Sequence, residues 1–132
     1  MTFLLDTNIC IYALKRRADV LERLLSESRP EVVLSAITEA ELRAGAAKSV
    51  SPTRTLRSLE SFLEPFTILE FGSADAIAYS HVRAKLERAG TPIGPVDMLI
   101  AGHAVSRNLT IVTNNEREFR RVSGLRVENW AS

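Results

Sequence analysis

The sequence contains one cysteine, Cys10, so no intramolecular disulfide can form, and a reducing compartment, the cytoplasm, is the expected setting. No stretch approaches the roughly 20 apolar residues of a membrane span, and no basic segment followed by a long apolar one opens the chain. Charge of one sign is also lacking: 17 Lys and Arg stand against 16 Asp and Glu, for a formal net charge of +1. Any nucleic-acid contact must therefore come from a local basic patch. Aromatic residues make up only 6%, which argues against recognition by serial base stacking and for shape and phosphate contacts. There are no repeats, low-complexity tracts or interior linkers. With 45% hydrophobic residues in 132, a single domain over 1–132 with a proper core is expected.

Strands and helices alternate along the chain. "FLL" before Asp6 reads as a short buried strand, and "TNICIYALK" places Ile9, Tyr12 and Ala13 at helical spacing. "DVLERLLSES" repeats that pattern until Arg29-Pro30 breaks it before a second strand, "EVVLS". A helix from Ser35 or Thr38 and another opened by Ser51-Pro52 precede a third strand, "FTILEF". Residues 73–89 show Ala74, Ile77, Ala78, His81, Val82 and Leu86 at helical spacing, ended by Gly90 and Pro92. Pro95 starts the next helix, and "LTIVT" and "LRVEN" supply the last strands. This alternation predicts an α/β fold: an open, mostly parallel sheet of about five strands with helices on both faces. Sites in such sheets gather beyond the carboxyl ends of the strands, where strand order reverses. Asp6 stands at one such end.

Acidic residues recur at such places. Asp6 is suited to cap the helix that follows it, which by itself would explain its position. Glu41 falls on the small-residue stripe of its helix with Ile37, Ala44 and Gly45, while Glu39 and Arg43 face the opposite way. A glutamate on an inward stripe must be hydrogen-bonded, paired or bound to a metal. Asp97 lies in the first turn after Pro95, on a face continued by Ile100, Ala101 and Ala104. Asn115 and Glu118 have the spacing of a capping box, and with Thr113 they follow a strand end as Asp6 does. Carboxylates converging on one cleft resist joint ionisation, and a divalent cation resolves the conflict. Oxygen donors with few histidines and no further cysteine suit Mg²⁺ or Mn²⁺, the ions of phosphodiester hydrolysis by activated water.

"LLDTNICIYAL", "SAITEAELRAG", "GPVDMLIAGHA" and "TNNEREF...GLRVENW" together resemble the PIN-domain ribonuclease toxins of bacterial toxin–antitoxin systems, the VapC type. The resemblance spans essentially the whole chain. It implies an α/β/α sandwich and a Mg²⁺- or Mn²⁺-dependent endoribonuclease, with Asp6, Glu41 and Asp97 matching the family's metal site and Asn115 and Glu118 completing the catalytic set. It also implies a homodimer held in a larger complex with an antitoxin that covers the cleft, DNA being bound only through that antitoxin. tRNA, initiator tRNA in the anticodon region above all, is the substrate it favours. Where many members carry a fourth aspartate, this chain has Asn115, so one firmly bound metal and a second recruited with substrate are expected.

Thr7 and Thr113 are candidates for orienting ligands or water. Among several basic clusters, Arg117, Arg120 and Arg121 flank the cleft in sequence and are the expected phosphate contacts. His81 and His103 lie in apolar helices and read as core or partner-bonded residues, Cys10 as a core residue and Trp130 as a packing anchor. The leucine-rich stretches at 20–25 and 56–63 offer apolar surface to an antitoxin or second subunit, or to the core. The alternative function is a binding or regulatory module, either an inactive PIN-like domain or a receiver-like one. The latter lacks the lysine it would need beside "TIVT", and a haloacid-type phosphatase would need Asp where Asn8 stands.

Overall fold

The computed structural model describes residues 2–27 and 31–131. In chain order the elements are β1 (Phe3–Leu5), α1 (Thr7–Leu14), α2 (Ala18–Ser26), β2 (Val32–Ser35), α3 (Ala36–Ala47) and α4 (Pro52–Leu63). There follow β3 (Thr67–Leu69), α5 (Ser73–Arg88), α6 (Pro95–Ser106), β4 (Thr110–Val112), α7 (Glu116–Phe119) and β5 (Arg126–Glu128). The Arg29–Pro30 break lies outside the described residues.

The side chains of the central strands explain the layering. Phe3 and Leu5 of β1, with Val32 and Leu34 of β2, enter one core, while Leu4 and Val33 enter the other. β4 divides likewise, Val112 to the first core and Ile111 to the second. A sheet apolar on both faces must be covered on both, and helices do so: Ile9, Val20 and Leu59 on one side, Leu86, Ile100 and Phe119 on the other. Trp130 packs edge-on against Phe3 at 5.3 Å between ring centroids and anchors the C-terminal segment, and Cys10 is buried in the first core.

The five strands run in the order β3-β2-β1-β4-β5, and every neighbouring pair is parallel, where sequence reasoning expected a mostly parallel sheet. The chain builds outward from β1 through β2 to β3, then returns to lay β4 on the other side of β1. Strand order therefore reverses between β1 and β4, and a switch point of this kind creates a crevice beyond the carboxyl ends of its strands. Asp6 and Thr113 are the residues that follow those two ends.

Two helix faces differ from expectation. On α3 the buried stripe is Thr38, Leu42 and Ala46, not Ile37, Ala44 and Gly45, because the helix lies between the first core and α4. Glu41 is consequently exposed rather than buried. On α5 only Asp75 and Leu86 are buried; Ile77 is 61% exposed and His81 is exposed too, so His81 is not a core residue. The reason is that α5 packs on α6 rather than on the sheet, so only a narrow edge is covered. That packing is tight: a Cβ at Gly102 would lie 2.6 Å from the Tyr79 Cα.

Candidate active site

Asp6 serves both as a cap and as the centre of the crevice. Its Oδ1 accepts from the Thr7 backbone N–H at 2.7 Å, capping α1, and its Oδ2 accepts from the Thr113 hydroxyl at 2.8 Å across the β1–β4 boundary. The residue is 4% exposed. Burial raises its carboxyl pKa above the ordinary value, the bonds from Thr113 and Thr7 oppose that rise, and the charge on Glu41 adds to it. A carboxylate offers about four lone-pair positions, so these two donors leave Asp6 free to bind a further partner.

Glu41 reaches the same place from α3. The Thr7 hydroxyl donates to its Oε1 at 2.7 Å and lies 3.3 Å from the Thr38 hydroxyl. One threonine therefore joins the first turn of α1 to the acid of α3. Its backbone N–H holds Asp6 while its hydroxyl holds Glu41.

Asp97 comes from the first turn of α6, set in place by Pro95 at the helix start. Its carboxyl pKa is pushed up to about 6, by burial first and then by the charges of Asp6, Glu118 and Glu41, with a hydrogen bond from Asn115 opposing. The side chain that feels the other three acids is thus the one on α6. Asn115 sits at the N-cap position of α7, yet its side chain makes no capping bond. Its amide instead donates to Glu118 Oε2 at 2.8 Å, and its backbone N–H donates to the Thr113 hydroxyl at 2.9 Å. A neutral amide therefore separates Asp97 from Glu118 where a carboxylate would add repulsion.

The PIN domain family model matches residues 3–125. The tRNA(fMet)-specific endonuclease VapC of Shigella flexneri is 44% identical over 131 residues, covering 99% of each chain. That of Salmonella typhimurium strain LT2 is 42% identical over 130 residues, covering 98% of each. A chain of the crystal structure of DNA-bound VapBC from Salmonella typhimurium superposes with a TM-score of 0.94 at 43% identity, covering 99% of both chains. This chain belongs to the VapC family of PIN-domain proteins.

In this VapC-family chain the acids stand apart from one another. Among the described residues no three His, Cys, Asp or Glu side chains close around a single point. Each acid is held by a neutral donor: Asp6 by Thr113 and Thr7, Glu41 by Thr7, and both Asp97 and Glu118 by Asn115. The donor set is carboxylate and amide oxygen only, which fits a hard divalent cation and not zinc.

The three arginines chosen from sequence separate in space. Arg120 is ion-paired with Glu116 at 2.9 Å, and Arg121 donates to the Pro92 carbonyl at 3.0 Å beside α5. Arg117 is exposed, and among the described residues it makes no ion pair or hydrogen bond. Sequence reasoning passed over Thr38 and Asn114. Thr38 is buried against Thr7, and the Asn114 amide donates to the Tyr12 hydroxyl at 2.8 Å at the rim of the crevice. Both lie next to residues that were singled out, but neither has a charge or a spacing to mark it.

Proposed function

We propose that this protein is a metal-dependent endoribonuclease toxin of a toxin–antitoxin pair, acting in the cytoplasm on tRNA, initiator tRNA foremost. The observation that carries the reading is that burial and the charges of Asp6, Glu118 and Glu41, near the β1–β4 switch point, push the Asp97 carboxyl up to about 6. Like charges held near one another weaken the fold even where single acids also cap or tie elements, and a divalent cation would relieve the repulsion, which supports the metal-binding reading. The names of the Shigella and Salmonella relatives support the choice of substrate.

Asp6, Asp97 and Glu41 would hold Mg²⁺ or Mn²⁺, which when bound acidifies a water nucleophile and steadies the leaving oxygen of the phosphodiester. Thr113 and Thr7 fix the rotamers of Asp6 and Glu41. Asn115 and Glu118 form a weaker second position, filled with substrate, since an amide contributes only its carbonyl oxygen. Arg117, which makes no ion pair or hydrogen bond among the described residues, is the phosphate contact of the three arginines.

The protein acts as a homodimer whose crevice is covered by an antitoxin, and DNA is reached through that antitoxin alone. The partnership with an antitoxin and DNA contact by the pair are supported by the similar Salmonella structure, a DNA-bound VapBC complex. A groove of about 490 Å³ between α2 and α4, lined by Leu21, Leu25 and Phe62 together with Arg16, Ser58 and Ser61, offers the antitoxin a seat of mixed polar and apolar character.

The test is incubation of antitoxin-free protein with total tRNA, with and without Mg²⁺ or Mn²⁺, mapping new 5′ ends against Asp97→Asn. Discrete metal-dependent cuts with 5′-phosphate and 3′-hydroxyl ends, absent in the variant, are expected. Cyclic-phosphate ends or metal-independent cutting would overturn the mechanism. No cleavage of tRNA, ribosomal RNA or messenger RNA would favour an inactive binding module.

A further inference from the structure

The helices that carry Glu41 and Asp97 share a buried polar contact that the proposed chemistry does not use. His103 of α6 and Ser35, the N-cap of α3, are both 0% exposed, and His103 Nδ1 lies 2.9 Å from Ser35 Oγ. Ser35 Oγ already accepts from the Ile37 backbone N–H at 3.0 Å, so its own hydrogen is free to be donated to Nδ1. The imidazole proton then resides on Nε2, which makes no well-aligned hydrogen bond among the described residues, although the Glu70 backbone lies near enough to the ring to favour its protonated form. Nε2 faces Asp75 Oδ2 at 3.8 Å, and a carboxylate on that side favours the N–H. Asp75 is in turn held by Arg107 through Nε at 3.1 Å and Nη2 at 3.2 Å, and by the Gly72 N–H at 2.8 Å. Burial lowers the imidazole pKa, so the ring is neutral, as this arrangement of donors requires.

A leucine would fill this volume with no polar atom to satisfy, so packing does not explain an imidazole here. What the ring adds is a fixed distance between two helices. Ser35 precedes the turn that carries Thr38 and, one turn on, Glu41; His103 lies in the same helix as Asp97. We infer that His103 is a positioning residue of the acidic site: its bond to Ser35 sets α3 against α6 and thereby the separation of Glu41 from Asp97. This inference rests on the metal-binding reading of those acids.

The experiment compares wild type with His103→Leu and His103→Asn, whose Oδ1 takes the place of Nδ1 as acceptor. Leu86→Ala, a core truncation on α5, serves as the stability control. Mn²⁺ affinity of the antitoxin-free protein is read from the free-ion paramagnetic resonance signal, and backbone amide shifts of Thr38 and Glu41 are read without metal. The expected result is a loss of Mn²⁺ affinity of about tenfold in His103→Leu, near-recovery in His103→Asn and no change in Leu86→Ala. The Thr38 and Glu41 amides should move in His103→Leu and return in His103→Asn. Wild-type affinity in His103→Leu, or equal loss in the Leu and Asn variants, overturns the inference. If wild type binds no Mn²⁺, the metal reading itself fails and the amides decide: displacement rescued by Asn upholds the positioning role, and unmoved amides overturn it.

Discussion

Thr113 donates its hydroxyl to Asp6 Oδ2 at 2.8 Å, tying the ends of β1 and β4 at the point where strand order reverses. The Thr113 Oγ1 itself accepts from the Asn115 backbone N–H at 2.9 Å, so one buried hydroxyl orients an acid and shapes the turn into α7. Thr113→Val should lower kcat for RNA at least about tenfold and destabilise the fold by roughly 1.5–3 kcal/mol, the range for losing a hydrogen bond to a charged group. Thr113→Ser should retain most of both. Equal kcat in the Val and Ser variants would show that the hydroxyl is not what holds Asp6.

Relief of the carboxylate crowding should separate stability from activity. Asp97→Asn removes the charge that Asp6, Glu118 and Glu41 oppose. In chelator, at pH 7, its thermal midpoint should rise by about 4 °C, equivalent to roughly 1 kcal/mol for a chain of this size, while cleavage disappears. Calorimetry showing an unchanged or lower midpoint would mean that the acids do not repel one another.

The pH dependence of stability follows from the same residue. Asp97 has a folded pKa of about 6 against about 3.9 unfolded, so between these values the folded state binds more protons. Metal-free stability should therefore fall as pH rises from about 4 to about 6, and Asp97→Asn should lack that decline. Asp75 has the opposite sign, because Arg107 holds its carboxyl well below the usual range; its stabilisation is present above about pH 4 and lost as the pH falls further. Urea denaturation across pH, taken as the difference between wild type and Asp97→Asn, isolates the Asp97 contribution.

Asn115→Asp exchanges a neutral donor for a further charge beside Asp97 and Glu118. The metal-free protein should lose about 4 °C in thermal midpoint, roughly 1 kcal/mol. In return, calorimetric titration should find a second Mn²⁺ bound without RNA, where wild type binds one. Unchanged stoichiometry would remove Asn115 from the account of the second metal.

Gly102→Ala tests the close approach of α5 and α6. The added Cβ would lie 2.6 Å from the Cα and 2.9 Å from the N of Tyr79, backbone atoms that no rotamer change can move. A loss of about 1–3 kcal/mol in urea denaturation is expected. A neutral result would mean that the two helices separate easily.

The places where sequence reasoning succeeded and failed have a common cause. The positions of Asp6, Asp97 and Asn115 at helix starts were legible because strand ends and helix starts are local features, written in a few consecutive residues. Glu41 was singled out for its place on a stripe that the structure does not bury, and it reaches the site through Thr7 instead. His81 and the outward face of α5 were misjudged because helical spacing shows that a stripe exists but not what covers it. Arg120 and Arg121 were close to the crevice in sequence, yet Glu116 and the Pro92 carbonyl engage them.

By itself the sequence determined the alternation of strands and helices, the acids at their junctions and the family, since all of these are carried by residue order and short-range pattern. The tertiary structure decided which strand ends are neighbours, which helix faces meet solvent, and that His103 and Ser35, 68 positions apart, touch. Those outcomes depend on which surfaces win burial against one another across the whole chain, a competition that no local stretch records.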